Sequence, residues 1–403
     1  MKSRDLNFQN NYIILLIVGF LITSIIPLIM PTFQESLSIP YRLFVNIIGL
    51  VIFFRSILYK FTYKNFNTGF LFVIFWVIYL TRLFLDLYLF EIEIFEEQSK
   101  SYYILSALSI VFFPTISLYS FNWSKVDFEY ILKWLYGLLL FALLIGLILR
   151  NNEDNELRST GGVFMGVLNY GHYGATLSIL SFYYIFVRRS YKIFKVIYVF
   201  GFFLGLTTVF ITSSKSPIIA LGVVILLYYL VFFDLKKIII LLILLIIGYF
   251  YFIDFYELVS KYYPNAFLQR FIYSLTEDQS FSGRENLLMT GWQEFVEKPF
   301  FGSAFLIQNE KFIGSYPHNL IIESFMALGI LGGFIFIWYL KKCLIITRSH
   351  IKKNSNLVWI AFLFLQYFIF GMFSGNIFSS ELFWIFSLIL ILTKPEKFRL
   401  KHK

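Results

Sequence analysis

The stretch "GSYPHNLIIESFMALGILGGFIFIWYLKK", residues 314–342, decides how the rest of the chain is read. A polar lip containing His318 and Asn319 opens an apolar run over 317–340, and Lys341 and Lys342 close it. Crossing the hydrocarbon of a bilayer takes roughly 17 to 25 such residues. Runs of this kind recur along nearly the whole sequence. The 403 residues are 59% hydrophobic, 22% aromatic and 14% charged, with a mean hydropathy of +0.74. No soluble domain of this length could cover so much apolar side chain with a polar coat.

The pattern predicts an all-α polytopic membrane protein. About twelve transmembrane helices are expected, near 12–30, 41–59, 69–90, 101–121, 131–149, 163–187, 195–212, 217–233, 238–254, 317–340, 357–375 and 380–393. The apolar runs are continuous rather than alternating, which argues against a transmembrane barrel. Residues 1–403 read as one integral membrane domain, interrupted by a long extracytoplasmic loop over 255–316 that contains short helices. The first span follows a short polar leader with Lys2 and Arg4 and lacks a small-residue cleavage site, so it reads as a retained anchor.

A net charge of +10 raises the question of nucleic acid. The basic residues instead cluster in short connectors such as "RRSYKIFK" (188–195) and "DLKK" (234–237), the bias that marks cytoplasmic loops. Placing both termini in the cytoplasm puts most of the 34 Lys and Arg residues inside, so nucleic acid is not an expected partner. Those short inner loops leave no room for a nucleotide-binding domain, and no Walker-type glycine loop occurs. The single cysteine, Cys343, has no partner for an internal disulfide, and no Cys/His cluster has metal-ligand spacing. No metal and no cofactor are expected.

With this orientation the unusual polar residues gather on the outer side. In "LRSTGGVFMGVLNYGHYGATL" (157–177), Arg158 precedes a glycine-rich entry into the sixth span, with Asn169 and His172 about two turns into the membrane. Two readings fit those polar groups: interhelical hydrogen bonding and contact with a substrate. In "ITSSKSP" (211–217), Lys215 is the only cation of a tight turn, and Pro217 suits the first turn of the next helix. A lysine there either snorkels to lipid headgroups or, amid hydroxyls and free N–H groups, binds an anion.

In "FSGRENLLMTGWQEFVEKPFFG" (281–302), Ser282 and Glu285 fit a capping box. It would open a helix with an apolar stripe of Leu288, Trp292, Phe295 and Val296, which Pro299 ends. Arg284 would then lie in the first turn, where the helix dipole disfavours a cation unless an anion accompanies it. Pairing with Glu285 or a neighbouring acid is the structural alternative. In the opening stretch, Pro317 fits the first turn of the tenth span with Ser315 or Tyr316 as cap, placing His318 in that turn beside Asn319. The positive helix end favours a neutral imidazole able to accept a proton. A histidine satisfied by water or a backbone carbonyl is the plainer account. Arg82 and Asp86, spaced i, i+4 in the third span, read as a structural ion pair. Cations beside a neutral base suit a reaction in which pyrophosphate leaves and a hydroxyl attacks.

The ordered set "RSTGGVFMGVLNYGHYG", "TSSKSP", "SGRENLLMTGWQEFVEKPFFG" and "HNLIIESFMALGILGG" resembles the O-antigen ligase and polysaccharide polymerase superfamily of bacterial envelope glycosyltransferases, over about 157–340. The resemblance implies a GT-C-like, metal-independent, inverting transfer at the outer face of the cytoplasmic membrane. The donor would be an oligosaccharide on undecaprenyl pyrophosphate, with membrane lipids around it and a flippase and a chain-length regulator as partners. It gives Arg284 and His318 the catalytic roles. Arg284, Lys215 and Arg158 would contact the pyrophosphate, and Asn169, His172, Asn319 and Trp292 the substrate or acceptor. The turn before the eighth span usually carries Ser-Arg in that family, whereas this chain has Ser214 and Lys215, which keeps the charge and loses the bidentate fork. The Ile, Phe, Tyr, Lys and Asn bias hints at an AT-rich genome, from a bacterium in which no lipid A core would be present, and favours a capsular or O-antigen-like repeat-unit polymerase over a ligase, with an O-oligosaccharyltransferase as another alternative. From another class, a transporter or flippase for lipid-linked sugars is the main rival, although transporters place paired charges and broken helices at midplane.

Overall fold

The structure is a computed structural model, and it describes residues 3–29, 38–149, 151–152, 159–160, 166–188, 192–212, 214–232 and 279–393. In chain order the helices are α1 (Ser3–Ile29), α2 (Ser38–Ser56), α3 (Lys60–Thr68) and α4 (Phe70–Tyr88). Next come α5 (Lys100–Ser120, with a π-helical stretch Ala107–Phe112 and a final 3-10 turn), α6 (Phe128–Ile148) and α7 (Val167–Phe182, continued by the π turn Tyr183–Val187). The remainder are α8 (Lys192–Ile211), α9 (Lys215–Phe232), α10 (Gln279–Glu297), α11 (Leu320–Lys353), α12 (Val358–Phe373) and α13 (Glu381–Leu392). The β structure among the described residues is one antiparallel pair, Asn151–Asn152 with Ser159–Thr160.

Six of these helices are long and apolar enough to cross a membrane: Ile39–Ser56, Phe70–Tyr88, Lys100–Ser120, Phe128–Ile148, Phe194–Ile211 and Leu320–Lys353. Phe8–Gly19, Lys215–Val231, Val358–Phe373 and Glu381–Leu392 are shorter apolar helices. The expected span at 238–254 and the first part of the expected long loop lie outside the described residues.

Local chemistry sets the helix ends. The Asp127 carboxylate accepts from the backbone N–H groups of Glu129 and Tyr130 and starts α6, and Ser99 does the same for α5 through Tyr102 N–H. The π-helical stretch of α5 directly precedes Pro114, whose missing N–H interrupts the ordinary ladder. Asn354, in the left-handed conformation at φ 48°, ends α11. The centre of the bundle is aromatic: Phe72, Phe75 and Trp76 of α4 meet Tyr339 and Phe336 of α11 and Trp384 of α13.

Three local expectations are corrected. The helix carrying Arg284 begins at Gln279, so Ser282 does not open it and Arg284 lies in its second turn. No Gly or Pro stands between Gln279 and Ser282 to prevent the extra turn. Its buried face is Thr290, Gly291, Glu294 and Phe295, while Trp292 and Val296 of the expected stripe are exposed. The third correction concerns the opening of α11, whose cap is Asn319 and not Ser315 or Tyr316. The Asn319 side-chain oxygen accepts from Ile321 and Ile322 N–H at 3.1 Å each, so His318 falls outside the helix.

Candidate functional site

The site is organised by a break in α11. Gly329 adopts φ 65° and ψ −163°, so Leu320–Lys353 is two helical segments meeting at a kink. The free groups at the break are taken up by the loop after α10: Ile330 N–H donates to Pro299 C=O at 2.7 Å, and Ser303 N–H to Met326 C=O at 2.7 Å. The Pro299–Gly302 motif is therefore the piece that plugs the break. Gly302, at φ 78°, is needed for the same reason, since a Cβ there would fall 2.5 Å from Ala327 C=O.

The plug is held from the other side by α4. Arg82 bonds Asp86 (Nε to Oδ1, 2.8 Å) and donates to the carbonyls of Phe301, at 3.2 Å, and Ser303. Asp86 accepts from Phe305 N–H at 2.9 Å. The expected ion pair is thus a clamp on the loop. Glu294 of α10 adds a second hold, accepting from Gln308 and Asn309 N–H at 2.6 and 3.0 Å. Burial raises the proton affinity of this carboxyl, against the pull of those two N–H groups.

His318 sits between these elements in the left-handed region, φ 55°. A non-glycine residue held there stores about 1–3 kcal/mol of strain, which the surroundings have to over-determine. Two contacts do so. Its ring packs edge-on against Tyr316 at 4.4 Å, and it hydrogen-bonds the backbone of Ser374, just past the end of α12. Nδ1 of the ring is a buried atom. Burial holds the imidazole below its ordinary proton affinity, the bond to Ser374 works in the opposite direction, and the positive charge of Arg284 adds to the lowering. Arg284, exposed on α10, is near enough for its charge to act on the ring. Gly291 of α10 packs on Pro317, where a Cβ would lie 2.6 Å from the proline Cγ, and this docks the Arg284 helix beside the histidine.

A second group forms where α7 meets the turn before α9. His172 Nε2 lies 2.7 Å from Ser216 Oγ, the residue after Lys215. Gly171 admits this approach, since a Cβ would fall 2.7 Å from Thr212 Oγ1. The His172 ring is buried against Phe370 of α12, with centroids 4.3 Å apart. Asn319 reaches the same helix end, with its Nδ2 3.4 Å from Met372 C=O. The last turn of α12, Phe370 to Ser374, thus joins the two groups at one end of the bundle. Asn169 is exposed, Lys215 opens α9 half-buried, and Trp292 stands exposed on α10. Arg158 and Ser213 lie outside the described residues.

Sequence reasoning missed Glu323. It is fully buried, accepts from Tyr79 Oη–H at 3.1 Å, and bonds Ile377 N–H with both oxygens at 3.0 Å. It fixes the segment between α12 and α13, where Asn376 is linked to Tyr316 by a side-chain hydrogen bond. The signal was available, because Glu323 is the only acidic residue of its apolar run. Among the described residues no cluster of three or more His, Cys, Asp or Glu could hold a metal ion.

A polytopic helical membrane protein with a strained, half-buried histidine beside a broken helix is the class that fold and site define. Residues 200–337 match the family model described as O-antigen ligase, which supports the O-antigen ligase and polymerase superfamily. The match takes in Lys215, Arg284, Trp292, His318 and Asn319 and stops short of Arg158, Asn169 and His172. No curated protein and no solved structure matches the chain.

Proposed function

We propose that this protein is a polysaccharide polymerase of the GT-C type, with about twelve spans, working at the outer face of the cytoplasmic membrane with both termini inside. It joins oligosaccharide repeat units carried on undecaprenyl pyrophosphate into a capsular or O-antigen-like chain. The imidazole of His318 takes the proton of the acceptor hydroxyl as its oxygen attacks the anomeric carbon from the face opposite the leaving group. The bond from that carbon to the pyrophosphate oxygen breaks, and its electron pair stays on the pyrophosphate. Arg284, Lys215 and Arg158 offset the charge that develops there. Asn319, His172 and Asn169 hold sugar or acceptor groups. The sequence of events consumes no metal and no cofactor.

One observation carries this reading: a strained, half-buried histidine lies within the electrostatic reach of Arg284. Ligases and O-oligosaccharyltransferases would use the same donor chemistry with another acceptor. Against transport, Arg82, Asp86 and Glu323 are taken up by one another, by Tyr79 and by backbone groups. The test is reconstitution in liposomes with an undecaprenyl-pyrophosphate repeat unit and no energy source. Chain growth that disappears in His318→Ala and Arg284→Ala supports the proposal. Movement of the substrate across the bilayer without chain growth would overturn it.

A further inference from the structure

The helix read from the sequence as part of an extracytoplasmic loop has three kinds of surface. Thr290, Gly291, Glu294 and Phe295 face the bundle. The exposed remainder separates, at about 100° per residue, into a polar sector of Asn286, Gln293 and Glu297 and an apolar sector of Met289, Trp292 and Val296. The apolar sector runs on into Phe300 and Phe301, which are 74% and 85% exposed. Glu285, one turn before Met289, ends that sector on the N-terminal side. A helix surrounded by water has no reason to keep five large apolar side chains on one of its two exposed sides.

Two further observations indicate what covers them. First, the sector is continuous with the outward face of a membrane-crossing helix. Trp292 and Phe295 pack on Phe325 at 6.4 and 5.1 Å, and Phe325 packs on Phe334 at 6.0 Å. Phe334 belongs to an exposed stripe of α11 with Leu331, at 65%, and Trp338, at 64%. Second, α4 provides a depth scale. Its 19 residues span about 28 Å, close to the hydrocarbon thickness. At its first end Thr68 C=O accepts from Lys342 Nζ at 2.7 Å, which places the Lys341–Lys342 basic level of α11 beside it. Arg82, which holds the Phe301 and Ser303 carbonyls, lies about 9 Å short of the other end. By the same measure Ile330–Leu340 rises only about 16 Å from that basic level, so the Gly329 break and the loop docked in it lie within the membrane. Loop backbone at that depth has to be satisfied by protein, and the bonds from Arg82, Ile330 and Ser303 do that.

We propose that α10 lies in the plane of the leaflet at the His318 end of the bundle. Met289, Trp292, Val296, Phe300 and Phe301 then contact lipid acyl chains, and Asn286, Gln293 and Glu297 face water. The protein thus holds its Arg284 helix at the headgroup boundary, where a lipid-linked anion presents its phosphates. This placement does not depend on the chemistry proposed above.

The test uses the full-length protein in liposomes, with single cysteines introduced at Met289, Val296, Phe300 and Phe301 and, for comparison, at Asn286, Gln293 and Glu297. The native Cys343 is fully buried and is replaced by alanine in the background. Each site receives a nitroxide, and collisions with oxygen and with a water-soluble nickel chelate are compared by electron paramagnetic resonance. The apolar positions should favour oxygen several-fold over the comparison positions. Equal access of the nickel chelate to both sets would overturn the proposal. Exclusion of both relaxers from the apolar set would also overturn it, pointing to coverage by a second copy. Quenching of Trp292 by lipids brominated on the acyl chain, taken as the difference between the parent and Trp292→Phe, checks the same placement without cysteines. Absence of that quenched component counts against it.

Discussion

Gly302 and Gly329 each pack on backbone next to the other, Gly302 on Ala327 and Gly329 on Phe300. A Cβ on Gly302 would fall 2.5 Å from Ala327 C=O, and one on Gly329 would fall 2.3 Å from Phe300 C=O. Both have positive φ, at 78° and 65°. Alanine at either position adds about 1–2 kcal/mol of left-handed strain, before any clash. Each variant should insert into the membrane, melt at a lower temperature than the parent by thermal shift, and lose chain extension because the loop leaves the break. An alanine variant with unchanged melting and activity would show that the two backbones are not in contact.

His318→Asn separates strain from chemistry. Asparagine tolerates the left-handed region but cannot serve as the base. The variant should keep its stability within about 1 kcal/mol and lose at least 10²-fold in rate, the usual minimum for a lost general base. Substantial activity in purified His318→Asn would remove the histidine from the mechanism.

The pH profile follows from the direction of the His318 shift. A base whose folded proton affinity is depressed works above that value and is lost as pH falls through it, so the acid limb of kcat/KM should lie below 6.5. The histidine's contribution to stability has the same sign. It is complete above 6.5 and is lost as pH falls through the lowered value. Arg284→Gln removes a positive charge that lowers the imidazole, so the limb of its residual activity should move up in pH. Titration of the His318 ring by NMR measures this directly, and an unmoved ring in Arg284→Gln would place the arginine elsewhere.

Glu323 is a positioning residue. Glu323→Ala leaves the Ile377 N–H and the Tyr79 hydroxyl buried without their acceptor, a cost of about 1–3 kcal/mol for each group. Glu323→Gln keeps an acceptor for Ile377 and should be milder, and Tyr79→Phe milder still, at about 1 kcal/mol. Denaturation midpoints in detergent should follow the order Ala, Gln, Phe from lowest to highest.

Lys215→Arg addresses the departure from the Ser-Arg pattern. If the cation contacts phosphate, arginine should preserve or raise activity through its bidentate fork, while Lys215→Gln should fall well below the parent. Comparing the initial rates of the two variants decides it, since equal loss in both indicates a steric demand instead.

The legible part of the site was the order of its motifs. Arg284, His318 and Asn319 could be singled out because polar groups are conspicuous in an apolar chain, and Pro299 because its missing N–H ends a helix. Their relationships were not legible. The left-handed twist of His318 arises because Asn319 captures the first N–H groups of α11 while Ser374, distant in sequence, captures the ring. The sidedness of α10 misled periodicity, because in a leaflet both a bundle and lipid accept apolar side chains.

Hydropathy and motif order, properties of the chain read residue by residue, determined a polytopic membrane protein and the order of its unusual polar groups. Only the folded structure decided that α11 breaks at Gly329, that Pro299–Gly302 fills the break, and that Arg82, Asp86 and Glu323 anchor the loops around His318. The physical reason is that spanning a bilayer is dictated by local apolar length, whereas the partners of buried carboxylates and broken backbone are supplied by helices far apart in the sequence.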